Sequence, residues 1–241
     1  TFSKVSFAAH LPLNGVSFGQ VSTLLMRGFF KRKIEPSLFA IGGKADLQSQ
    51  QADPAFFKYL EQCIKKANVE HSREIPTFKL WHFSDGLFSP SEKNRLLTFY
   101  ELDEPTPSEI NIAKNQDKLF FTNKYSQNTF SQFGIDSEVI PLAFDTYNFK
   151  RLPKKYFDDD RIVFNLCGKF EKRKHHKKII QAWVKKFGNN KKYFLQCSLY
   201  NPFLQEKQNR DLFVDAINGK EMFNVQFLGH MPTNDLYNDY L

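Results

Sequence analysis

The chain has 241 residues, 41% of them apolar, and 34 Lys and Arg outnumber 26 Asp and Glu for a net charge of +8. That length holds one large domain or two small ones, and that apolar share can build a core, which excludes a disordered chain. No run approaches the roughly 18–20 apolar residues of a membrane span, and Thr1-Phe2-Ser3-Lys4-Val5 enters a strand-like pattern without the shape of a signal peptide. Cys63, Cys167 and Cys197 are odd in number, far apart and without metal-ligand spacing. They read as free thiols, Cys167 and Cys197 buried and inert, in a reducing cytoplasm. The basic balance favours anionic partners: phosphates, nucleic acid or an acidic membrane face.

Strand-length apolar runs alternate with helix-period stretches, the pattern of an α/β fold with parallel sheets. In chain order, Lys4–Ala9 reads as a strand, His10–Ser17 as a turn, and 18–31 as a helix. Ser37–Ile41 is a second strand closed by Gly42-Gly43, and Asp53-Pro54 caps a helix to Ala67 with Phe56, Phe57, Leu60 and Ile64 on one face. Thr77–Phe83 and Leu96–Tyr100 are strands, Leu119–Thr122 a short one, 124–133 a helix ended by Gly134, and Val139–Leu142 a strand. Residues 145–160 are polar and charged and carry Pro153, as a linker between domains would. A second series follows: strand Arg161–Cys167, basic turn Gly168–Lys174, then helix His175–Phe187 with Ile179, Ile180, Trp183 and Phe187 inward. Strand Tyr193–Leu199, helix Gln205–Ile217, strand Val225–Leu228 and a helix from Thr233 complete it.

Two such series imply two Rossmann-like domains, 1–146 and 161–241, joined by a linker at 147–160. Ligands of such sheets sit beyond the strands' carboxyl ends, and a cleft between the domains is the default site. The second series reads as unfinished, because a doubly wound sheet needs more strands to cover its edges.

Gly168–Lys174 joins a strand to a helix whose start offers free N–H groups and partial positive charge. Lys169, Lys172, Arg173, Lys174 and Lys177 crowd it, so a diphosphate there would meet backbone donors and cations together. A solvated basic helix face is the bland alternative, and Gly-Lys-Ser/Thr of a Walker loop is absent. Gly15, in the first strand-to-helix turn, could let a phosphate approach the backbone. His82 and Asp85 follow a strand and suit proton transfer or a sugar hydroxyl, with a structural histidine as the alternative. Glu101 also follows a strand, where it suits an acceptor contact or a solvated turn. His175-His176 makes a poor metal site, since neighbours on a helix do not face one ligand.

Three segments in order resemble the retaining glycosyltransferases of the GT-B fold, specifically the family four group. Residues 118–127, continuing through Phe133-Gly134-Ile135 to Val139-Ile140-Pro141-Leu142-Ala143-Phe144-Asp145, resemble that group's passage into its interdomain linker, with Asn123 and Ala143 in place of Ser and Gly. Phe164–Lys169 with Lys174 and His175 resembles its Gly-Arg-x-x-x-x-Lys-Gly donor loop, with Lys169 for Arg and His175 for Gly. Val225–Gly229 with residues 231–237 resembles a third stretch, and Asn14-Gly15-Val16 its Gly-Gly-Val turn. The resemblance implies a GT-B fold, with the second domain incomplete because the chain stops before the family's paired-glutamate motif. It implies a hexosyltransferase-like enzyme that uses a nucleotide sugar without a cofactor or metal and retains anomeric configuration. Donor phosphates would lie on Lys169 and Lys174 near Gly15, with His82 and Glu101 as catalytic candidates. The acceptor is left open among glycan, lipid and protein, with peripheral contact at the inner membrane face expected for a lipid. The competing readings are a basic nucleic-acid-binding module, for which no motif is present, and a non-catalytic sugar- or nucleotide-binding protein on a transferase scaffold.

Overall fold

Two parallel sheets organise the chain in the computed structural model, which describes residues 6–153 and 156–240. The chain forms two compact units, Thr1–Tyr147 and Asn148–Leu241.

The first unit has strands β1 (Ala8–Leu13), β2 (Ser37–Ala45), β3 (Thr77–Leu80), β4 (Asn94–Thr98), β5 (Lys118–Phe121) and β6 (Glu138–Val139), in the order β2-β1-β3-β4-β5-β6. Every pair in it is parallel. A parallel sheet needs crossover connections, and helices α1 (Ser17–Lys31), α2 (Pro54–Val69), α3 (Pro107–Lys114) and α4 (Lys124–Ser131) supply four of the five, the β3–β4 connection carrying a 3-10 turn at Phe83–Asp85. Alternation along the strands then divides the core. Leu11, Leu13, Leu80 and Leu97 meet Phe18 and Met26 of α1 and Phe56, Tyr59 and Leu60 of α2. Leu96, Leu119 and Phe121 meet Ile112 and Ala113 of α3 and Phe130 of α4.

The start of the first strand lies partly outside the described residues, since Lys4 and Val5 are not among them. The strand itself runs on through the expected turn to Leu13. Pro12 is tolerated because β1 pairs with β3 only as far as His10, so its missing donor falls beyond that ladder. Likewise β2 does not close at Gly42-Gly43. Both glycines take positive φ (84° and 74°), the register slips between Pro12 and Leu13, and pairing resumes at Ala45. Helix α3 is absent from the sequence reading, although Thr106 and Glu109 form a reciprocal capping box around Pro107.

Arg27 pins the end of the first unit. Its guanidinium lies 4.1 Å from the Phe56 ring centroid and 3.4 Å from that of Tyr147, and it pairs with Asp53 at 3.0 Å. The Tyr147 hydroxyl also reaches Asp53, at 3.3 Å. Asp53 caps α2 by accepting from Phe56 N at 3.1 Å, so one carboxylate holds a helix start, a buried cation and the chain leaving the unit.

The second unit has β7 (Ile162–Gly168), β8 (Tyr193–Leu199) and β9 (Val225–Phe227) in chain order, all parallel, with α5 (His176–Phe187), α6 (Glu206–Ala216) and α7 (Asn234–Tyr240). Its core packs Ile180, Trp183 and Val184 of α5 and Phe213 of α6 against Leu195, Cys197 and Leu199. Ile179 is a correction to the expected inward face: it is 44% exposed, and His176 takes the inward position one turn earlier. Cys167 is only partly buried, whereas burial pushes the Cys197 thiol up to about 12. Residues in the expected linker are tied to α7: Lys150 N donates to Asn238 at 2.9 Å and Tyr156 to the Tyr240 carbonyl at 3.0 Å.

Gly19 fixes how α1 meets its turn. A Cβ there would fall 2.2 Å from the Asn14 carbonyl oxygen, whereas one at Gly28 on the same helix would meet only the tip of Arg32 at 3.5 Å. Gly19→Ala is expected to cost about 2 kcal/mol or more, and Gly28→Ala to gain about 0.5–1 kcal/mol from helix propensity. Urea denaturation of the two variants checks both signs.

Candidate functional site

Parallel pairing puts every carboxyl end on one edge of each sheet, and the sequence-derived candidates fall on those edges. In the second unit, β7 ends at Gly168 with φ 123°, a conformation reserved for glycine. Above it lies Lys174: a Cβ at Gly168 would sit 3.7 Å from the Lys174 Nζ and 3.8 Å from the His176 ring. The segment between closes through a 3-10 turn at Lys172–Lys174 and enters α5 at His175, which takes φ 56°. That is the left-handed region, so the position where the resembled donor loop carries Gly has the backbone that Gly favours. No side chain caps α5 and its first turn has no acidic residue, which leaves its partial positive charge uncompensated.

Glu171 gathers the cations of this loop. Its carboxylate pairs with Lys169 at 3.0 Å, Arg173 at 3.0 Å and Lys174 at 3.7 Å. Burial pushes the Glu171 carboxyl up, but the hydrogen bond from Lys169 and the charges of Arg173, Lys169 and Lys174 outweigh it and hold the group below the usual carboxylate range. Lys169 also lies 5.2 Å from the Phe203 ring centroid. Burial first and the Lys174 charge second hold the His176 imidazole below its ordinary value. Lys169 and Lys174 thus come together around one anion, as a phosphate partner pair requires, and that anion is the protein's own. The sequence reading missed Glu171, whose signal was a single acid inside a run of bases.

In the first unit, Phe18 at the start of α1 meets three rings that follow the ends of β3 and β4. Its ring lies 4.3 Å from that of His82, 5.8 Å from Trp81 and 4.2 Å from Phe99. His82 is exposed and precedes the 3-10 turn Phe83–Asp85. Glu101 is exposed just beyond the β4 end. Gly15 is exposed between β1 and α1; its carbonyl accepts from Gln20 Nε2 at 3.2 Å, and Ser49 stands 3.4 Å from where a Cβ would lie. Asn123, where the resembled motif has Ser, still caps α4 by accepting from Ser126 N at 2.8 Å.

One cluster has no counterpart in the sequence reading. His10 of β1 and Lys79 of β3 are register partners, and both are buried. Lys79 donates to the carbonyls of Asp85 and, at 2.8 Å, Phe88. Burial drives Lys79 down to about 8 against the opposing pull of Asp85. Burial first and Lys79 second drive His10 down to about 4. Only the pairing of strands 69 residues apart in sequence, position 10 against position 79, creates this neighbourhood.

Among the described residues no group of three or more His, Cys, Asp or Glu side chains is placed to hold a metal ion. None of their helices is long and apolar enough to cross a membrane.

No protein-family model matches the sequence, and no curated protein matches it. Solved structures do match. Sucrose-phosphate synthase of Thermosynechococcus elongatus superposes with TM-score 0.59 at 12% identity over 98% of this chain and 73% of that one. A glycosyltransferase of Rickettsia africae gives 0.61 at 12% identity, over 98% and 71%. HepE of Anabaena, solved with UDP-glucose, gives 0.56 at 16% identity, over 94% and 69%. The chain has the α/β fold of these GT-B proteins, with Rossmann-like parallel sheets. At such identities the likeness establishes the fold. A Listeria monocytogenes protein described as a UDP-N-acetylglucosamine 2-epimerase shares it too, at TM-score 0.52 and 13% identity, so the fold by itself does not select a reaction.

If Glu171 occupies the place of a ligand anion, removing its charge relieves a repulsion. Glu171→Gln is expected to bind inorganic pyrophosphate about fivefold more tightly, the size of one unit-charge repulsion across about 4 Å of water. Calorimetry measures it; weaker binding in the variant would show that Glu171 organises the cations instead.

Proposed function

We propose that the chain is a glycosyltransferase that moves a sugar from a nucleotide-sugar donor to an acceptor. The observation that carries this reading is the loop at the end of β7. An uncapped helix start, a glycine at φ 123° beneath Lys174, and cations drawn around one carboxylate form a receptor for a compact, highly charged anion. A departing nucleoside diphosphate gains charge in the transition state, so preformed cations on its phosphates stabilise that state more than the bound donor. The likeness to structures that carry UDP-glucose or UDP-2-fluoro glucose supports a uridine donor.

Lys169 and Lys174 are the phosphate partners in this proposal, and Gly15 is a further phosphate-side candidate in the first unit. His82 and Glu101, at strand ends of that unit, are the proton-handling candidates. Lys169 carries the charge of the Arg in the resembled motif without its planar fork, so it holds phosphate as a point charge. Hexosyl transfer with retention and without a metal forms the finer part of the proposal, supported by the order of the three matching segments. The chemistry calls for an intracellular compartment that supplies nucleotide sugars.

UDP is expected to bind, and Lys169→Ala with Lys174→Ala to weaken it at least tenfold, as loss of two charge-assisted contacts requires. Isothermal calorimetry checks this in the presence of a chelator. Unchanged affinity in the double variant would refute the assignment.

A further inference from the structure

The strand order of the first unit reverses at β1, which has β2 on one side and β3 on the other, so a topological switch point lies between β1 and β3. His10 and Lys79 pair across it, and Lys79 pairs onward with Leu96 of β4, so all three side chains stand on the sheet face opposite α1 and α2. Over β4 and β5 that face is covered by α3 and α4. Over β1 and β2 it opens into a cavity of about 270 Å³ lined by His10, Ile41, Lys79, Trp81, Asp85 and Phe88, among others.

The lining has a definite chemistry. Trp81 and Phe88 supply aromatic surface, and the His10 ring meets Phe88 edge-on at 5.6 Å. Asp85 accepts from the Trp81 indole at 3.2 Å, which orients both groups. His10 is 92% buried by its 8% exposure, and its Nδ1 has no hydrogen-bond partner among the described residues. Lys79 spends two of its protons on the Asp85 and Phe88 carbonyls, and the Asp85 carboxylate offsets its charge. The cavity is therefore close to neutral, walled by aromatic rings and edged by hydrogen-bonding groups. That combination suits a ring that is apolar on its faces and hydroxylated at its rim. It does not suit a phosphate, which the carboxylate repels, or a lipid tail, which would set hydrocarbon against the Asp85 carboxylate.

We propose that this cavity is a sugar subsite that seats one neutral pyranose ring of the acceptor, so that the acceptor class is carbohydrate. The assignment deepens the transferase reading and rests on it for the word acceptor; the binding itself does not.

The chain has two tryptophans, Trp81 at the cavity and Trp183 in the core of the second unit, so the indole N–H region of a nitrogen-15 correlation spectrum holds a reporter and an internal control. Titration with methyl glucoside, methyl galactoside and methyl mannoside, without nucleotide, is expected to move the Trp81 resonance at millimolar concentration for at least one of them and leave Trp183 in place. Phe88 is 67% exposed, so Phe88→Ala spares the core and is expected to weaken that sugar about tenfold through loss of a stacking face. Ile41→Phe, which fills the cavity from the sheet face that holds His10, is expected to abolish the shift. No movement with any of the three glycosides, equal movement of both resonances, or a shift that survives Ile41→Phe would overturn the proposal. Sugar shifts without UDP binding would sink the transferase reading and leave the subsite standing, whereas UDP binding without sugar shifts would sink the subsite alone.

Discussion

Parallel strand pairing is the constraint on which everything else in this protein depends. Because parallel neighbours need a crossover, every strand in both sheets is followed by a connection that starts at the same edge. Helix starts, with their unpaired N–H groups, and turns with special backbone angles therefore collect there. The Gly168 loop, the Gly15 turn and the Trp81–Phe88 segment are three products of that rule. In each sheet the opposite edge holds the strand starts, and none of the candidate residues lies on it.

Charge is then used twice, in opposite ways. In the first unit, buried cations are consumed internally: Arg27 by Asp53 and two aromatic rings, Lys79 by two carbonyl oxygens. They hold loops to the sheet at the cost of desolvation, and Lys79 shows that cost by falling to about 8. In the second unit, Lys169, Arg173 and Lys174 stay partly exposed and share one carboxylate, an arrangement an incoming anion can take over. Net charge alone, which first suggested anionic partners, does not distinguish these uses.

The repeating architecture was legible in the sequence because it rests on local pattern: β8 runs from Tyr193 to Leu199 as the apolar run does, and Asp53-Pro54 caps α2. Errors arose where a local signal was overruled or overlooked. Gly42-Gly43 reads as a stop but forms a bulge, because β1 remains available for pairing beyond it. Ile179 reads as core, yet the buried stripe of α5 runs through His176, Ile180, Trp183 and Val184 and leaves Ile179 at its outer side. The candidate loop at 168–174 was visible because strand, turn and helix are contiguous. The His10–Lys79 cluster was not, since register between distant strands is written in no single stretch of chain.

On the proposed reading, the loop from Gly168 to Lys174 receives the two phosphates of a nucleotide sugar. The phosphorus-31 spectrum of UDP-glucose with the protein, recorded in a metal chelator, reads that contact at the phosphates themselves. Both phosphorus resonances are expected to shift with the wild-type chain and to return to their free positions with Lys169→Ala and Lys174→Ala combined. Resonances that stay unmoved by the wild type, or that shift equally with the double variant, would rule the loop out as the phosphate site.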